Sequence, residues 1–239
     1  MKRIIVFIAA FLCSLSIFPQ NVVLRTGIMS AKDIEIFANL SPYSTGSVGF
    51  DTRYQGIKGT PRLFDTLLTT SVLVRGQDAY ISLRTDIDLV RNVLIVAHPT
   101  SGKLVEILSD HIAELVIDNG NDQIIYRTTN DIVPEKEIRE NRFYQILKKG
   151  PNQFIRIPVK DFDEADYKRV YSPDIRYDEF KLIYRYYIED SNNVFHKVQL
   201  NKKSLAKMFP DKKELIYKGF EENPDQNVEE KVISILEKL

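Results

Sequence analysis

Phe180-Lys181-Leu182-Ile183-Tyr184-Arg185-Tyr186-Tyr187-Ile188-Glu189 repeats with a period of two. Phe180, Leu182, Tyr184, Tyr186 and Ile188 fall on one side, and Lys181, Arg185 and Glu189 on the other, as in a strand with one buried and one wet face. Ser191-Asn192-Asn193 supplies turn formers, and Val194 to Leu200 resumes the apolar run, so the two segments read as a hairpin.

The same rhythm holds upstream from Ser71. Ser71 to Arg75 and Ala79 to Arg84 flank Gly76-Gln77-Asp78, and Asn92 to Ala97 and Lys103 to Leu108 flank Pro99-Thr100-Ser101-Gly102. Ile112 to Ile117 and Gln123 to Thr128 bracket Asp118-Asn119-Gly120-Asn121-Asp122, whose Asn-Gly pair suits the positive φ angles of a tight hairpin turn. Phe143 to Lys148 and Phe154 to Lys160 bracket Gly150-Pro151-Asn152. Short strands at this spacing predict an antiparallel sheet. Val22 to about Thr70 reads as irregular strands and loops, Pro134 to Asn141 as a short helix or exposed loop, and Asp161 to Asp178 as a polar connection.

After Leu200 the period lengthens toward 3.6. Asn201 is placed to cap a helix reaching about Met208, Pro210 suits a first helical position, and Leu215, Ile216 and Phe220 form a stripe. A last helix starts near Val228, with Asn227 and Glu230 at capping-box spacing and Val228, Val232, Ile235, Leu236 and Leu239 along one side. Burying five such side chains at roughly 1.5 to 3 kcal/mol each favours docking this tail on the sheet.

At the other end, Lys2 and Arg3 precede an apolar run from Ile4 to Leu12, with Ser14 and Ser16 as small residues for cleavage; this reads as an export leader. Ile4 to Phe18, about 22 Å as a helix, is too short to cross about 30 Å of hydrocarbon, and Pro19 ends it. Lipidation at Cys13 is disfavoured by the bulky Phe11-Leu12 before it. Expected organisation is therefore a signal peptide at 1–20, an antiparallel β domain at 21–200 and helices packed on the sheet at 201–239, with no transmembrane segment after cleavage.

Cys13 is the single cysteine and lies in that leader, so the mature chain has no thiol for a nucleophile, a zinc site or a disulfide. Basic and acidic residues number 33 each, and loss of Lys2 and Arg3 leaves 31 against 33, a balance of −2. Nucleic-acid binding is not expected without a basic excess. The lysines from Lys202 to Lys218 read as a solvated helix face.

No catalytic signature stands out. His98, His111 and His196 form no metal-binding pair, Asp118 to Asp122 lacks calcium-loop spacing, and Ser101-Gly102-Lys103-Leu104 lacks the glycine and hydroxyl of a phosphate loop. Asp86 and Asp88 share one side of a strand, which reads as a solvent-facing edge. No cofactor is expected. One composition cluster suits a binding surface: Tyr167, Arg169, Tyr171, Arg176, Tyr177 and Tyr187, where tyrosine offers amphipathic contact area and arginine stacks on it. Ordinary sheet pairing with a tyrosine rim is the alternative.

Three segments carry a resemblance. They are Lys58-Gly59-Thr60-Pro61-Arg62-Leu63-Phe64, Arg142-Phe143-Tyr144-Gln145-Ile146-Leu147 before Lys148-Lys149-Gly150, and the end from Tyr184 through Leu200-Asn201-Lys202-Lys203-Ser204-Leu205 to Phe209-Pro210-Asp211-Lys212-Lys213-Glu214-Leu215. With these, the chain resembles a group of exported proteins of Bacteroidota of uncharacterised activity. The resemblance implies an envelope or secreted location, a curved antiparallel sheet and a basic helical tail, and it transfers no functional residue.

The resulting reading is a mainly β (α+β) protein, a curved antiparallel meander or open barrel-like sheet with a C-terminal helical segment. Its expected role is noncatalytic, exported to the periplasm or cell surface, and bound to another envelope or outer-membrane protein. The alternatives are a carrier of a small hydrophobic molecule or lipid in a sheet cavity, and a hydrolase built around His98 or His111.

Overall fold

The computed structural model describes residues 44–47, 54, 56–118, 123–136, 138, 140–165, 177–222 and 224–239. The leader at 1–20 and the Asn119-Gly120 turn lie outside these residues. Among the described residues twelve strands form a single sheet: β1 (Ser44–Ser47), β2 (Leu68–Val74), β3 (Tyr80–Asp88), β4 (Val93–Ala97), β5 (Leu104–Leu108), β6 (Ile112–Asp118), β7 (Gln123–Thr128), β8 (Val133–Pro134), β9 (Phe143–Lys148), β10 (Phe154–Asp163), β11 (Glu179–Glu189) and β12 (Val194–Val198). Helices α1 (Lys202–Met208), α2 (Lys213–Glu221) and α3 (Val228–Glu237) follow. The strand order is β1-β5-β4-β3-β2-β6-β7-β9-β10-β11-β12-β8, and every pairing is antiparallel except β12 with β8. All five expected hairpins pair, and turns between them use left-handed residues at Gly76, Gly150 and Asn193.

The sheet is open but strongly bent. Leu63 N–H donates to the Ile87 carbonyl and Arg62 bridges Asp88 beside β3, while Lys58 N–H donates to the Asp178 carbonyl and Phe180 N–H to the Lys58 carbonyl beside β11. Six strand spacings, about 29 Å on a flat sheet, separate β3 from β11. Lys58 to Arg62 spans at most about 14 Å, and one spacing at each end does not make up the difference. The sheet must therefore curl. A second tie agrees: Arg142 Nη1 donates to the Leu89 carbonyl at 2.9 Å, joining the ends of β9 and β3 across four spacings. Gly59 adopts φ +83 where the strap passes β11, and a Cβ there would sit 3.1 Å from the Phe180 carbonyl oxygen.

Curling encloses one face. Val72, Ile81, Leu94, Ile107, Leu115 and Tyr126 from six strands share one buried cluster, against which Phe64 of the strap packs. Further along, α1 to α3 cover the same face: Leu205, Ile216, Val232, Ile235 and Leu236 form one cluster with Phe154, Ile188 and Val198. Asn201 caps α1 by accepting from Ser204 N–H, and Asn227 caps α3 by accepting from Glu229 N–H. Val228 departs from the expected stripe, being 40% exposed, because the buried side begins one turn later at Val232.

Between the two clusters runs a polar seam. Arg156 Nη1 donates to both carboxylate oxygens of Glu229 at 2.7 and 2.8 Å, Tyr186 Oη donates to the same carboxylate at 2.5 Å, and Arg156 Nε donates to Gln145 at 2.9 Å. The guanidinium lies 4.2 Å from the Tyr184 ring centroid. These directed contacts fix where α3 sits on β10 and β11, since half-buried charges of this kind are costly without partners.

Other boundaries differ from expectation. β10 continues to Asp163, paired with Glu179 of β11, where Phe162 packs its ring at a tilt against Phe180, centroids 5.2 Å apart. The stretch read as a helix or loop from Pro134 begins as β8, held parallel to β12. The reverse face of β11 is also less wet than its pattern indicates, as Tyr187 joins Tyr144, Ile155, Ile157 and Phe195 in a third cluster there.

Gly219 lets α2 approach α3: a Cβ at this position would lie 2.5 Å from Ile235 Cγ1. Gly219→Ala gains about 1 kcal/mol of helix propensity but overpacks a filled contact at about 1–3 kcal/mol. The expected outcome is a lower urea midpoint, and the cost of Gly219→Ala should be smaller in an Ile235→Ala background, where the Cγ1 and Cδ1 that the new methyl meets are gone.

Candidate partner-binding surface

Of the six tyrosine and arginine residues singled out, Tyr167, Arg169, Tyr171 and Arg176 lie outside the described residues. Tyr177 stands 54% exposed before β11, and Tyr187 is half-buried within that strand. Ten residues of extended chain, about 33 Å, separate these two, so they do not form one surface. Tyr187 instead belongs to a groove.

Strand alternation sets Tyr187 on the outer face, opposite Ile155 of β10 and Lys197 of β12. The described residues between Ile132 and Arg142 lie across that face, where Ile132 and Ile138 pack on the cluster of Tyr144, Ile155, Ile157 and Phe195. The groove left beside this crossing measures about 850 Å³, with Ile138, Ile157, Val159, Tyr187 and Phe195 as its apolar lining. Burial pushes the Tyr187 hydroxyl up, with Arg185 opposing, so the phenol stays neutral and available as a hydrogen-bond donor.

The rim is asymmetric in charge. Its carboxylates are engaged: Glu135 with His196, and Glu140 with Arg142. Among the described residues, Arg185, Lys197 and Lys207 have no carboxylate partner, and all three side chains are exposed. An apolar floor with unneutralised cations along one side suits an amphipathic, acidic surface of another molecule. The crossing segment was the part missed from sequence; Ile132, Val133 and Ile138, apolar residues within a charged stretch, were its signal.

His196 ties that segment to the sheet. Its Nε2 lies 2.8 Å from Asp190 and its Nδ1 3.3 Å from Glu135, while Glu135 N–H donates to the Phe195 carbonyl. The hydrogen bond to Asp190 outweighs burial and raises the imidazole pKa; Asp190 itself is held down to about 2 by Val194 N–H and by His196. Both ring nitrogens face carboxylates, so the histidine clasps this segment to the sheet.

The other candidates separate. His98 Nδ1 accepts from the N–H groups of Thr100 and Ser101 in its turn, at 3.3 Å each. Asp86 and Asp88, expected at a solvent-facing edge, are each only 1% exposed. The reason is tertiary: the strap covers this part of β3, and Phe64 N–H donates to Asp86 while Arg91 and two backbone amides bind Asp88. Asp86 Oδ2 has no hydrogen-bond partner among the described residues, and burial pushes this carboxyl up to about 6 against the opposing amides of Phe64 and Ile87. No group of three or more His, Cys, Asp or Glu among the described residues is arranged to hold a metal ion. No helix among them is long and apolar enough to cross a membrane.

Two of these groups give a pH signature of one sign. Asp86 keeps its proton up to about pH 6 when folded, whereas the unfolded chain releases it near pH 4, so stability increases as pH falls through that window. His196 contributes fully below its ordinary value of 6.5, and that contribution is lost as pH rises through its raised value. Urea denaturation is therefore expected to show greater stability at pH 5.5 than at pH 8. Asp86→Asn, which keeps the two accepted N–H bonds, should stabilise by up to about 3 kcal/mol at pH 8, and combined with His196→Gln it should flatten the profile. Searches for relatives match no protein-family model, no curated protein and no solved structure.

Proposed function

We propose that this protein is a noncatalytic accessory module of the bacterial cell envelope that holds another envelope or outer-membrane protein in the outer-face groove beside Tyr187. The observation that carries this reading is the groove itself: apolar side chains line it, its carboxylates are already paired, and Arg185, Lys197 and Lys207 have no carboxylate partner among the described residues. The export leader and the resemblance supply the compartment. A lipid carrier would use a hollow between sheet and helices, but there Leu205, Ile216, Val232 and Leu236 pack against Phe154 and Ile188. His196, with carboxylates on both nitrogens, is poorly suited to act as a general base.

Affinity purification of the tagged, full-length protein from envelope fractions tests the reading. One outer-membrane or periplasmic protein should be recovered stoichiometrically with the wild type, and at least tenfold less with Lys197→Glu or Tyr187→Ala that melt normally. Equal recovery by both variants would overturn the groove as the site, and copurified lipid without protein would favour the carrier.

A further inference from the structure

β11 is longer than either neighbour on its outer side. β12 pairs with it from Tyr186 to Glu189, and the strap touches it only around Glu179 and Phe180. Between these lies a gap, Lys181 to Arg185, with β10 along its other side throughout. Phe180 N–H points to the strap side, whereas Glu189 N–H donates to Gln153 on the β10 side. Alternation therefore directs the N–H and C=O groups of Leu182 and Tyr184 into the gap. Among the described residues no backbone hydrogen bond is made to them there.

Exposed edges are ordinarily blunted by charge, a bulge or proline. This one runs in unbroken register with β10 and exposes Leu182 at 37% and Ile183 at 38%, on opposite faces. Its two cations differ: Lys181 is neutralised by Asp163 at 2.5 Å, while Arg185 has no carboxylate partner among the described residues and opens onto the groove. From Phe180 to Tyr186 the gap measures about 20 Å, enough for a short strand of four or five residues.

We propose that this edge takes up an extended segment of the partner as an added strand, with acidic side chains on the outer face near Arg185 and apolar ones on the inner face against Leu182 and Tyr184. The inference rests on the partner-binding reading and specifies its chemistry: main-chain hydrogen bonds to Leu182 and Tyr184 supply attachment, and charge on one face selects the register. The segment would continue from the groove, since Arg185 borders both.

Fluorescence anisotropy on the purified full chain tests it, using a labelled eight-residue peptide of alternating glutamate and valine and its lysine–valine counterpart. The acidic peptide is expected to bind at least tenfold tighter than the basic one. Arg185→Glu should reverse that order, and Leu182→Pro, which removes the edge-facing N–H together with the Leu182 side chain while sparing the bonds to β10, should weaken binding at least tenfold and well beyond Leu182→Ala, which removes the side chain alone. An acidic peptide N-methylated at alternate residues in either register provides the same test with the wild-type protein, and one of the two registers should fail to bind. Equal binding of both peptides, no binding of either, or indifference to both N-methylated forms would overturn the added strand. If the envelope partner is still recovered by Leu182→Pro but lost with Lys197→Glu, the groove reading stands and the edge proposal falls.

Discussion

Four peptide units between Lys58 and Arg62 join strands six places apart in the sheet. Chain of that length cannot span the flat distance, so the strap and the curl of the sheet require each other. The consequences spread from there. The inner face closes around its aliphatic side chains, Asp86 and Asp88 pass from edge to interior, and the strap covers β11 only at its start.

The helical tail completes the same face with a different device. Apolar burial under α1 to α3 supplies most of its attachment, but such burial is non-directional. Position comes from Arg156, Glu229 and Tyr186, whose hydrogen bonds have fixed geometry and lie at the boundary between the two inner clusters. Because the inner surface is filled in this way, the recognition proposed above is assigned to the groove over Tyr187 and the short gap in β11. The two proposed sites share Arg185, so apolar floor, a cation without a carboxylate partner among the described residues, and the β11 gap adjoin one another.

Five hairpins were legible because each is local: a period of two on either side of a turn rich in Gly, Asn or Asp needs no knowledge of the rest of the chain. The helix caps at Asn201 and Asn227 were legible for the same reason. The candidate site was not. Tyr187 was noticed for its composition, but its neighbours Ile138, Ile157 and Phe195 come from three distant segments, and nothing in the order of residues brings them together. Asp86 and Asp88 failed in the same way, since alternation identifies a side of a strand without saying what covers it.

By itself, then, the sequence determined strand and helix identity, the turn positions and the apolar side of each element, because these depend on residues within a few positions of one another. Tertiary structure alone decided which strand edges remain open, which carboxylates are buried and which cations lack a partner. Those properties depend on the path of the whole chain, and here that path is set by a strap whose own segment carries no regular pattern.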